Sequence, residues 1–304
     1  MRIGFRTAFF FVIILAAGRW SLAQDMPLSQ VLIDGEDWEP VAEGYKFTEG
    51  PAVDDQGQVY FTDIPNEKIY RIDQEGKVHV FVENSGRTNG LMFGPDGKLY
   101  GCRMADKQIV AYAKDGSHQV IVDGVDSNDL VVASGGGIFF TDPPNRRVWH
   151  LPPGGEKRIV AEGFRPNGVI LTPDEGTLVV TDSEEPHLWA FRVEQDGSLR
   201  FPERYFQPLR LPSGGGDRPG SDGMTIDEAG RVYVATRAGV QMFDPTGRMG
   251  GVILKPQPGS LSNVAFGGPE LNILYATCGD KVFRRVTKTK GVRYGETSRS
   301  KANR

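Results

Sequence analysis

Residues 166–182 read PNGVILTPDEGTLVVTD, and five other segments of the chain follow the same plan. In each segment a polar residue opens a short apolar strand, a turn built on Gly or Asp follows, and a second strand ends in polar residues. Gly and Asp suit tight hairpins, because Gly tolerates positive φ and Asp can bond its own backbone. Third and fourth strands follow, separated by further Gly-containing turns, so the chain is a repeat of short strands.

The polar residues that open the segments recur after 40, 39, 39, 55 and 41 residues, and they are Glu49, Asn89, Asn128, Asn167, Asp222 and Asn263. A period near 40 residues is typical of the four-stranded blades of a β-propeller. The sequence therefore predicts an all-β, six-bladed β-propeller. The sixth repeat ends after 282–286 without a fourth strand, so Trp38–Ala42 is expected to supply it. This N-terminal strand would close the last blade and leave no open sheet edge there.

Three segments are predicted along the chain: 1–23, 31–286 and 287–304. The first has a basic start, the apolar run 9–17 and the small-x-small sequence Ser21-Leu22-Ala23, which is typical of a secretory signal peptide. We expect export to the periplasm or the medium and no stable membrane insertion after cleavage, with an uncleaved anchor as the alternative. Residues 31–286 form the propeller, and 287–304 is expected to be a basic, disordered tail.

Composition narrows the possible functions. The formal net charge is −4 with both signs interspersed, which argues against a nucleic-acid partner. The four His and two Cys show no zinc-ligand spacing. Cys102 and Cys278 end second strands of repeats that are not neighbours, so free thiols are favoured over a disulfide. The oligomeric state stays open.

The step of 55 residues marks an insertion between the fourth and fifth repeats, and it contains the segment 210–220. This segment is rich in Gly and Pro and cannot pack a core, so it is predicted to be a surface loop. Because it leads directly into Asp222, we expect it at the rim of the site, as a lid or wall for substrate.

The six polar residues would surround one axis if the repeats close into a ring. Glu49 and Asp222 carry two negative charges, and the amide oxygens of Asn167 and Asn128 can complete the coordination of one divalent cation. A donor set made only of oxygen favours Ca²⁺, with Zn²⁺, Mn²⁺ and Mg²⁺ as alternatives. A single such residue could instead satisfy backbone groups at a turn. Six in register favour a metal site.

Three segments resemble those of the senescence-marker-protein/gluconolactonase/luciferin-regenerating family, namely Glu49-Gly50-Pro51, Pro166-Asn167-Gly168-Val169 and Ser221-Asp222-Gly223-Met224. The resemblance runs from about Trp38 to Val286 and implies a six-bladed propeller with one catalytic divalent cation. It implies Glu49, Asn167 and Asp222 as metal ligands, with Asp222 also as general acid and base. Asn128 matches a family Asn that contacts substrate or metal.

The chain departs from the vertebrate-type pattern near Asn128, because Asp126 stands where those members have a substrate-binding Arg. Five residues are predicted to contact substrate, namely Asn128, Asn89, Asp129, Arg103 and Arg237. For the two arginines, ion pairs with the rim acids Asp129, Asp63, Asp142 and Asp182 are the alternative. The rim acids Asp129, Asp63, Asp142 and Asp182 are expected mainly to hydrogen-bond strand ends, with Asp129 as a second candidate base.

The leading interpretation is a calcium-dependent lactonase that opens a sugar lactone such as glucono-1,5-lactone. The metal would act as a Lewis acid and Asp222 as general base. Two alternatives remain: a hydrolase of other lactones or phosphotriesters, and a non-catalytic binding propeller that contains structural calcium. The natural lactone and the physiological metal are open at this point.

Overall fold

The computed structural model describes residues 26–294, which fold into six four-stranded antiparallel sheets. The inner strands of successive sheets contact one another, and the sixth contacts the first, so the sheets form a closed ring of blades around one axis. This confirms the predicted six-bladed β-propeller. The predicted signal peptide, residues 1–23, lies outside the described residues.

Blades 1 to 5 each consist of four consecutive strands, ordered from the axis outward. Blade 1 contains β2 (Thr48–Val53), β3 (Val59–Asp63), β4 (Lys68–Ile72) and β5 (Val78–Val82). Blade 2 contains β6 (Thr88–Phe93), β7 (Leu99–Arg103), β8 (Gln108–Tyr112) and β9 (His118–Asp123). Blade 3 contains β10 (Leu130–Val132), β11 (Ile138–Asp142), β12 (Arg147–Leu151) and β13 (Arg158–Glu162).

The second half of the ring follows the same order. Blade 4 contains β14 (Pro166–Leu171), β15 (Thr177–Asp182), β16 (Leu188–Val193) and β17 (Leu199–Glu203). Blade 5 contains β18 (Met224–Ile226), β19 (Val232–Thr236), β20 (Gly239–Phe243) and β21 (Met249–Ile253). Blade 6 contains β22 (Leu261–Gly267), β23 (Ile273–Cys278), β24 (Lys281–Val286) and, outermost, β1 (Glu39–Glu43). Short 3-10 turns occur at Leu28–Gln30, Ile64–Asn66 and Met104–Asp106.

The hydrophobic core lies between the blades rather than in one central mass. Every residue of β3, β11 and β19 is buried, whereas β17 at the outer edge of blade 4 is mostly exposed. The largest cluster joins blades 3, 4 and 5 through residues such as Val131, Leu171 and Phe243. Because both faces of an inner strand are covered, these strands read as continuous apolar runs.

The N-terminal strand closes the last blade, as predicted. β1 pairs antiparallel with β24, and its register places Glu39 opposite Arg284 and Glu43 opposite Lys281. Each of these pairs forms a salt bridge of 2.9 Å. The two ends of the propeller chain are therefore held in one sheet.

Residues 287–294, which the sequence assigned to a disordered tail, pack against the propeller. Thr287 and Thr289 are buried while Lys288 and Lys290 are exposed, which is the alternation of an extended segment lying on a surface. The prediction of a disordered tail was based on the basic residues of this segment and did not take the alternation into account. Residues 295–304 lie outside the described part of the chain.

The prediction for the two cysteines can also be compared with the fold. Cys102 and Cys278 are free, fully buried thiols, as expected. Within residues 26–294, no helix is long and apolar enough to cross a membrane.

Candidate metal centre and active site

The six repeated polar residues lie at one end of the bore, where each inner strand begins. Four belong to β2, β6, β14 and β22, and the other two lie just ahead of β10 and β18. Asn263 Nδ2 donates to Glu49 Oε2 at 3.1 Å, and the Asn167 amide hydrogen-bonds the Asp222 carboxylate. The fold thus brings these residues together around the axis, and we refer to the six as the polar ring.

Glycine follows the polar-ring residue in four of the six repeats, because neighbouring inner strands meet there. A Cβ at Gly50 would overlap the carbonyl oxygen of Asn89 in blade 2. A Cβ at Gly168 would overlap the carbonyl oxygen of Asp222 in blade 5. Without a side chain at these positions, adjacent strands can approach closely enough to bring the ring side chains to one centre.

Threonines at the ends of second strands fix the ring residues of the following blade. Thr62 Oγ1 donates to the carbonyl oxygen of Asn89 at 3.3 Å. The same bond recurs from Thr141 to Asn167 at 2.6 Å and from Thr181 to Asp222 at 3.2 Å. Since each bond crosses to the next blade, the backbone of a ring residue is positioned by its neighbour. The repeat pattern showed the threonines but not their partners.

Asp129 lies in the centre of the ring, although the sequence grouped it with the acids of the rim. It occupies the position that glycine takes in blades 1, 2, 4 and 5. Its carboxylate is only 8 % exposed, accepts the Leu130 N–H at 2.9 Å and contacts the side chain of Asn263. In the sequence, the only sign of this role is that Asp129 stands where four other repeats have glycine. The direction of its side chain could not be predicted from that difference.

Three buried or half-buried carboxylates therefore share the ring, and their pKa values are raised. Burial raises the pKa of Glu49 to about 7, against hydrogen bonds from Gly50 and Asn263 that lower it. Burial, and then the charge of Glu49, raise the pKa of Asp129 to about 8. Burial and the charges of Glu49 and Asp129 raise the pKa of Asp222 well above its ordinary value. No Lys or Arg within residues 26–294 is among the main causes of these three shifts.

The donor set fits a hard divalent cation. Within residues 26–294, no three His, Cys, Asp or Glu side chains form a metal-binding group by themselves, so a cation held here would also need amide oxygens. Asn167 Oδ1 is a buried oxygen without a hydrogen-bond partner in the described chain. Buried polar atoms are rarely left unpaired, and an oxygen beside carboxylates that lack a counter-charge suits cation coordination.

The exposure of the side chains differs around the ring. Glu49, Asn89 and Asn263 are buried, and they belong to blades 1, 2 and 6, respectively, which are neighbours in the ring. The partly exposed members are Asn128, Asn167 and Asp222, from blades 3, 4 and 5. Solvent and small molecules can therefore reach the ring from the side of blades 3 to 5.

The long loop 210–220 lies on this open side, as expected from the sequence. Arg210 is held by Gln241 through two hydrogen bonds of 2.8 Å. At the other end, the Pro219 carbonyl accepts the N–H of Arg237 at 2.9 Å. The charge of Arg218 also acts on Glu184 in blade 4. The loop therefore reaches from blade 5 towards blade 4 beside the exposed ring residues.

The remaining rim acids stabilise turns, as the sequence analysis expected. Asp63 accepts the N–H groups of Lys46 and Phe47, at 3.2 Å in each case. Asp142 and Asp182 each accept an indole N–H from a Trp of the next strand. These three carboxylates are occupied by their own blades and do not enter the ring.

The predicted substrate-binding residues fall into two groups. Arg103 forms an ion pair and donates to the Asn84 carbonyl, but its acidic partner is Asp106 and not one of the four rim acids. Asn89 is buried, with its amide 4.0 Å from the Met104 sulfur. Arg237 is exposed beside the long loop, and Asn128 is partly exposed. Substrate contact stays a prediction for all four residues. It is better supported for Arg237 and Asn128, because these two side chains are at least partly exposed.

The chain is thus a six-bladed β-propeller in which carboxylates and amides gather at one end of the central axis. The family model for the SMP-30/gluconolactonase/LRE-like region matches residues 47–280 of this chain. The chain therefore belongs to this family. The resemblance drawn from the three short motifs is thus confirmed.

Individual relatives are similar to this chain at moderate identity. A gluconolactonase of Zymomonas mobilis is 28% identical, with 83% of this chain and 82% of the relative covered. The pentonolactonase XacC of Haloferax volcanii is also 28% identical, over 73% of this chain and 78% of that protein. A solved gluconolactonase structure from Xanthomonas campestris has a TM-score of 0.75 and 26% identity, covering 86% of this chain and 92% of that one.

Proposed function

We propose that this chain is a lactonase that depends on a divalent cation and opens a sugar lactone. The observation that carries the proposal is the grouping of Glu49 and Asp222 of the polar ring with Asp129, with no Lys or Arg among the main influences on Asp222. The unpaired Asn167 Oδ1 belongs to the same ring. Burying like charges together is costly unless a cation offsets them. The names of the related gluconolactonase and pentonolactonase support the reaction class.

Glu49, Asn167 and Asp222 would hold the cation, with Asn128 completing the set or contacting substrate. Oxygen ligands and two or more carboxylates favour Ca²⁺, and Mg²⁺, Mn²⁺ or Zn²⁺ are the alternatives to test. When bound, such a cation supplies Lewis-acid polarisation of the lactone carbonyl.

Asp222 is the residue we assign to proton transfer. It is partly exposed on the open side of the ring, whereas Asp129 and Glu49 are buried behind it. As general base it takes a proton from the attacking water, whose oxygen bonds to the carbonyl carbon. The bond between that carbon and the ring oxygen then breaks, and Asp222 returns the proton to the departing oxygen. The product is an open-chain hydroxy acid.

Asn263 positions the other two carboxylates. Its side chain bonds both Glu49 and Asp129, from blades 1 and 3. Because both contacts come from one short amide, the carboxylate oxygens are held at a fixed separation. We therefore infer that Asn263, which the motif comparison did not assign, maintains the geometry of the cation site.

The substrate class rests on the polarity of the open side. The groups that face an entering molecule there include Asn128, Asn167 and Arg237, which suit a polyol better than an apolar chain. The alternative substrates are other lactones and phosphotriesters. Hydrolysis rates on glucono-1,5-lactone, a pentonolactone, an acyl-homoserine lactone and a phosphotriester would rank them.

The decisive experiment measures these rates with chelator and after return of each metal. We expect activity on aldonolactones to disappear with chelator and to return with Ca²⁺. Full activity in chelator, with no metal found in the protein, would overturn cation dependence. Cation binding without hydrolysis of any substrate would instead support the non-catalytic binding propeller.

We also propose that the protein is exported. The support is the basic start, apolar run and small-residue cleavage sequence of residues 1–23. The mass of the mature protein recovered from periplasm or medium should correspond to a chain that starts at Gln24. An intact N-terminus on a membrane-bound protein would favour the uncleaved anchor.

A further inference from the structure

The segment 287–294 is bonded first to blades 5 and 6 at the end of the bore away from the polar ring. Thr289 Oγ1 donates to the buried Asp227 carboxylate at 2.9 Å, and the Lys290 carbonyl accepts the Glu228 N–H at 2.8 Å. The Gly291 N–H donates to the Leu271 carbonyl at 2.9 Å. A side chain at Gly291 would collide with Phe266, so the backbone lies directly on blade 6.

The next residues reach two blades that face each other across the ring. Arg293 donates to the Asp55 carbonyl of blade 1 at 2.7 Å and also approaches the Pro269 carbonyl of blade 6. The Tyr294 hydroxyl donates to the Leu171 carbonyl at the end of β14 in blade 4. In a closed ring of six, blade 4 lies opposite blade 1. Consecutive residues bonded to both must therefore span the bore.

The same residues line the central cavity below the site. The cavity continues from the bore into the groove between blades 1 and 2, where Phe81 and Tyr112 line it, and its total volume is about 900 Å³. Val292, Arg293 and Tyr294 line it at the far end, and Asp129 and Asn263 line it at the polar-ring end. The segment therefore forms part of the floor of the cavity whose upper wall belongs to the candidate site.

We propose that residues 287–294 act as a C-terminal clasp, which closes the ring of blades a second time and narrows the bore from below. The first closure is the β1–β24 pairing at the outer edge of blade 6, whereas the clasp acts at the centre and joins blades 1, 4, 5 and 6. Opening the ring at the seam between blades 6 and 1 requires Arg293 to break its hydrogen bonds to one of these two blades. The clasp therefore slows ring opening and limits solvent entry from the face opposite the substrate.

Two truncated chains test the closure. One ends after Thr287 and lacks the contacts made by residues 288–294, and the matched control ends after Tyr294 and keeps them. Unfolding rates in denaturant should rise at least tenfold in the first chain and stay within about twofold of the full chain in the second. A tenfold change in rate corresponds to about 1.4 kcal/mol in the barrier. Equal unfolding rates in both truncated chains would overturn the second closure.

An engineered thiol tests access from below. Thr225 lines the cavity and is close in size to cysteine, while the native Cys102 and Cys278 are fully buried. Thr225→Cys should react with a charged thiol reagent at least tenfold faster in the chain that ends after Thr287 than in the control. Equal labelling rates would show that the segment does not restrict the bore.

A full-length variant decides the matter if the shorter chain does not fold. Arg293→Gln combined with Tyr294→Phe removes the bonds to the opposite blades and keeps the rest of the clasp. The same two measurements should then shift in the same direction by at least threefold. Unchanged unfolding and unchanged labelling in this variant would overturn the proposal.

Discussion

Asp222 and Asp227 lie five residues apart at opposite ends of β18, and they differ in the groups that surround their carboxylates. Asp227 is fully buried and accepts five hydrogen bonds, from the N–H groups of Ala229 and Arg231, the Arg231 guanidinium and the hydroxyls of Tyr233 and Thr289. Asp222 is instead influenced mainly by burial and by two further carboxylates. Asp227 thus has its counter-charge within the fold, whereas the proposed function assigns the counter-charge of Asp222 to a bound cation.

The largest expected effect is on the structural side of this comparison. Asp227→Asn leaves the buried Arg231 without its counter-ion and weakens the bond to Thr289. Breaking a buried pair in this way costs roughly 3–5 kcal/mol. The free energy of unfolding should fall by about that amount, while calorimetric Ca²⁺ affinity of the folded protein stays unchanged. A loss of cation binding with normal stability would reverse the assignment of the two aspartates.

Asp222→Asn is expected to lower kcat for lactone hydrolysis. Loss of a general base typically costs on the order of 10²-fold or more in kcat. Because the same change weakens cation binding, the rate must be measured at a metal concentration shown to saturate the variant. If kcat at saturation is near normal, the base lies elsewhere, and Asp129→Asn is the variant to compare.

Glu49→Gln should weaken cation binding more than it changes the chemistry. The substitution keeps the size of the side chain and the hydrogen-bonding ability of one oxygen but removes a charge that faces the cation. We expect at least a tenfold rise in the Ca²⁺ dissociation constant, about 1.4 kcal/mol. Titration calorimetry with an unchanged constant would remove Glu49 from the ligand set.

The stability of the metal-free protein should depend on pH, because Glu49 and Asp129 at the polar-ring end of the bore have raised pKa values. In the metal-free protein the pKa of Glu49 is about 7 and that of Asp129 about 8, above the usual values near 4 of an unfolded chain. A raised folded pKa gives stability that is complete below about pH 4 and is lost as the pH rises through 7 to 8. Ca²⁺ should therefore raise Tm by several degrees more at pH 8.5 than at pH 5.5. Equal shifts at both pH values would contradict this.

The smallest effect is expected from the long loop. Shortening 210–220 to the length of its counterparts should change relative rates among lactones severalfold and leave Tm within a few degrees, because an exposed Gly/Pro-rich loop buries little apolar surface. The lactone panel and a thermal melt measure both. A uniform loss on every substrate, or a large fall in Tm, would mean that the loop supports the fold instead.

The sequence predicted those features that repeat along the chain. Blade number, the closing strand and the six ring positions all follow from a period of about 40 residues, which is visible in one dimension. The threonine links could not be predicted, since Thr141 and its acceptor in Asn167 belong to different blades. The inward direction of Asp129 also depends on the neighbouring blade, where Gly90 leaves room beside it.

The C-terminal segment shows a second limit. It occurs once and has no counterpart in the repeat, and its basic residues suggested a solvated tail. Its partners are remote in sequence: Thr289 bonds Asp227 across 62 positions, and Tyr294 bonds Leu171 across 123. Such contacts are defined by the closed ring and not by the local sequence.

The threonine links also bear on how blades can be exchanged between related propellers. Thr181 belongs to blade 4 but holds the backbone of Asp222 in blade 5, so a ring residue and its anchor are inherited in separate repeats. A chimera that imports blade 5 alone would receive Asp222 with an unmatched anchor from the host. Recombination that keeps the site intact should therefore move adjacent blades as pairs.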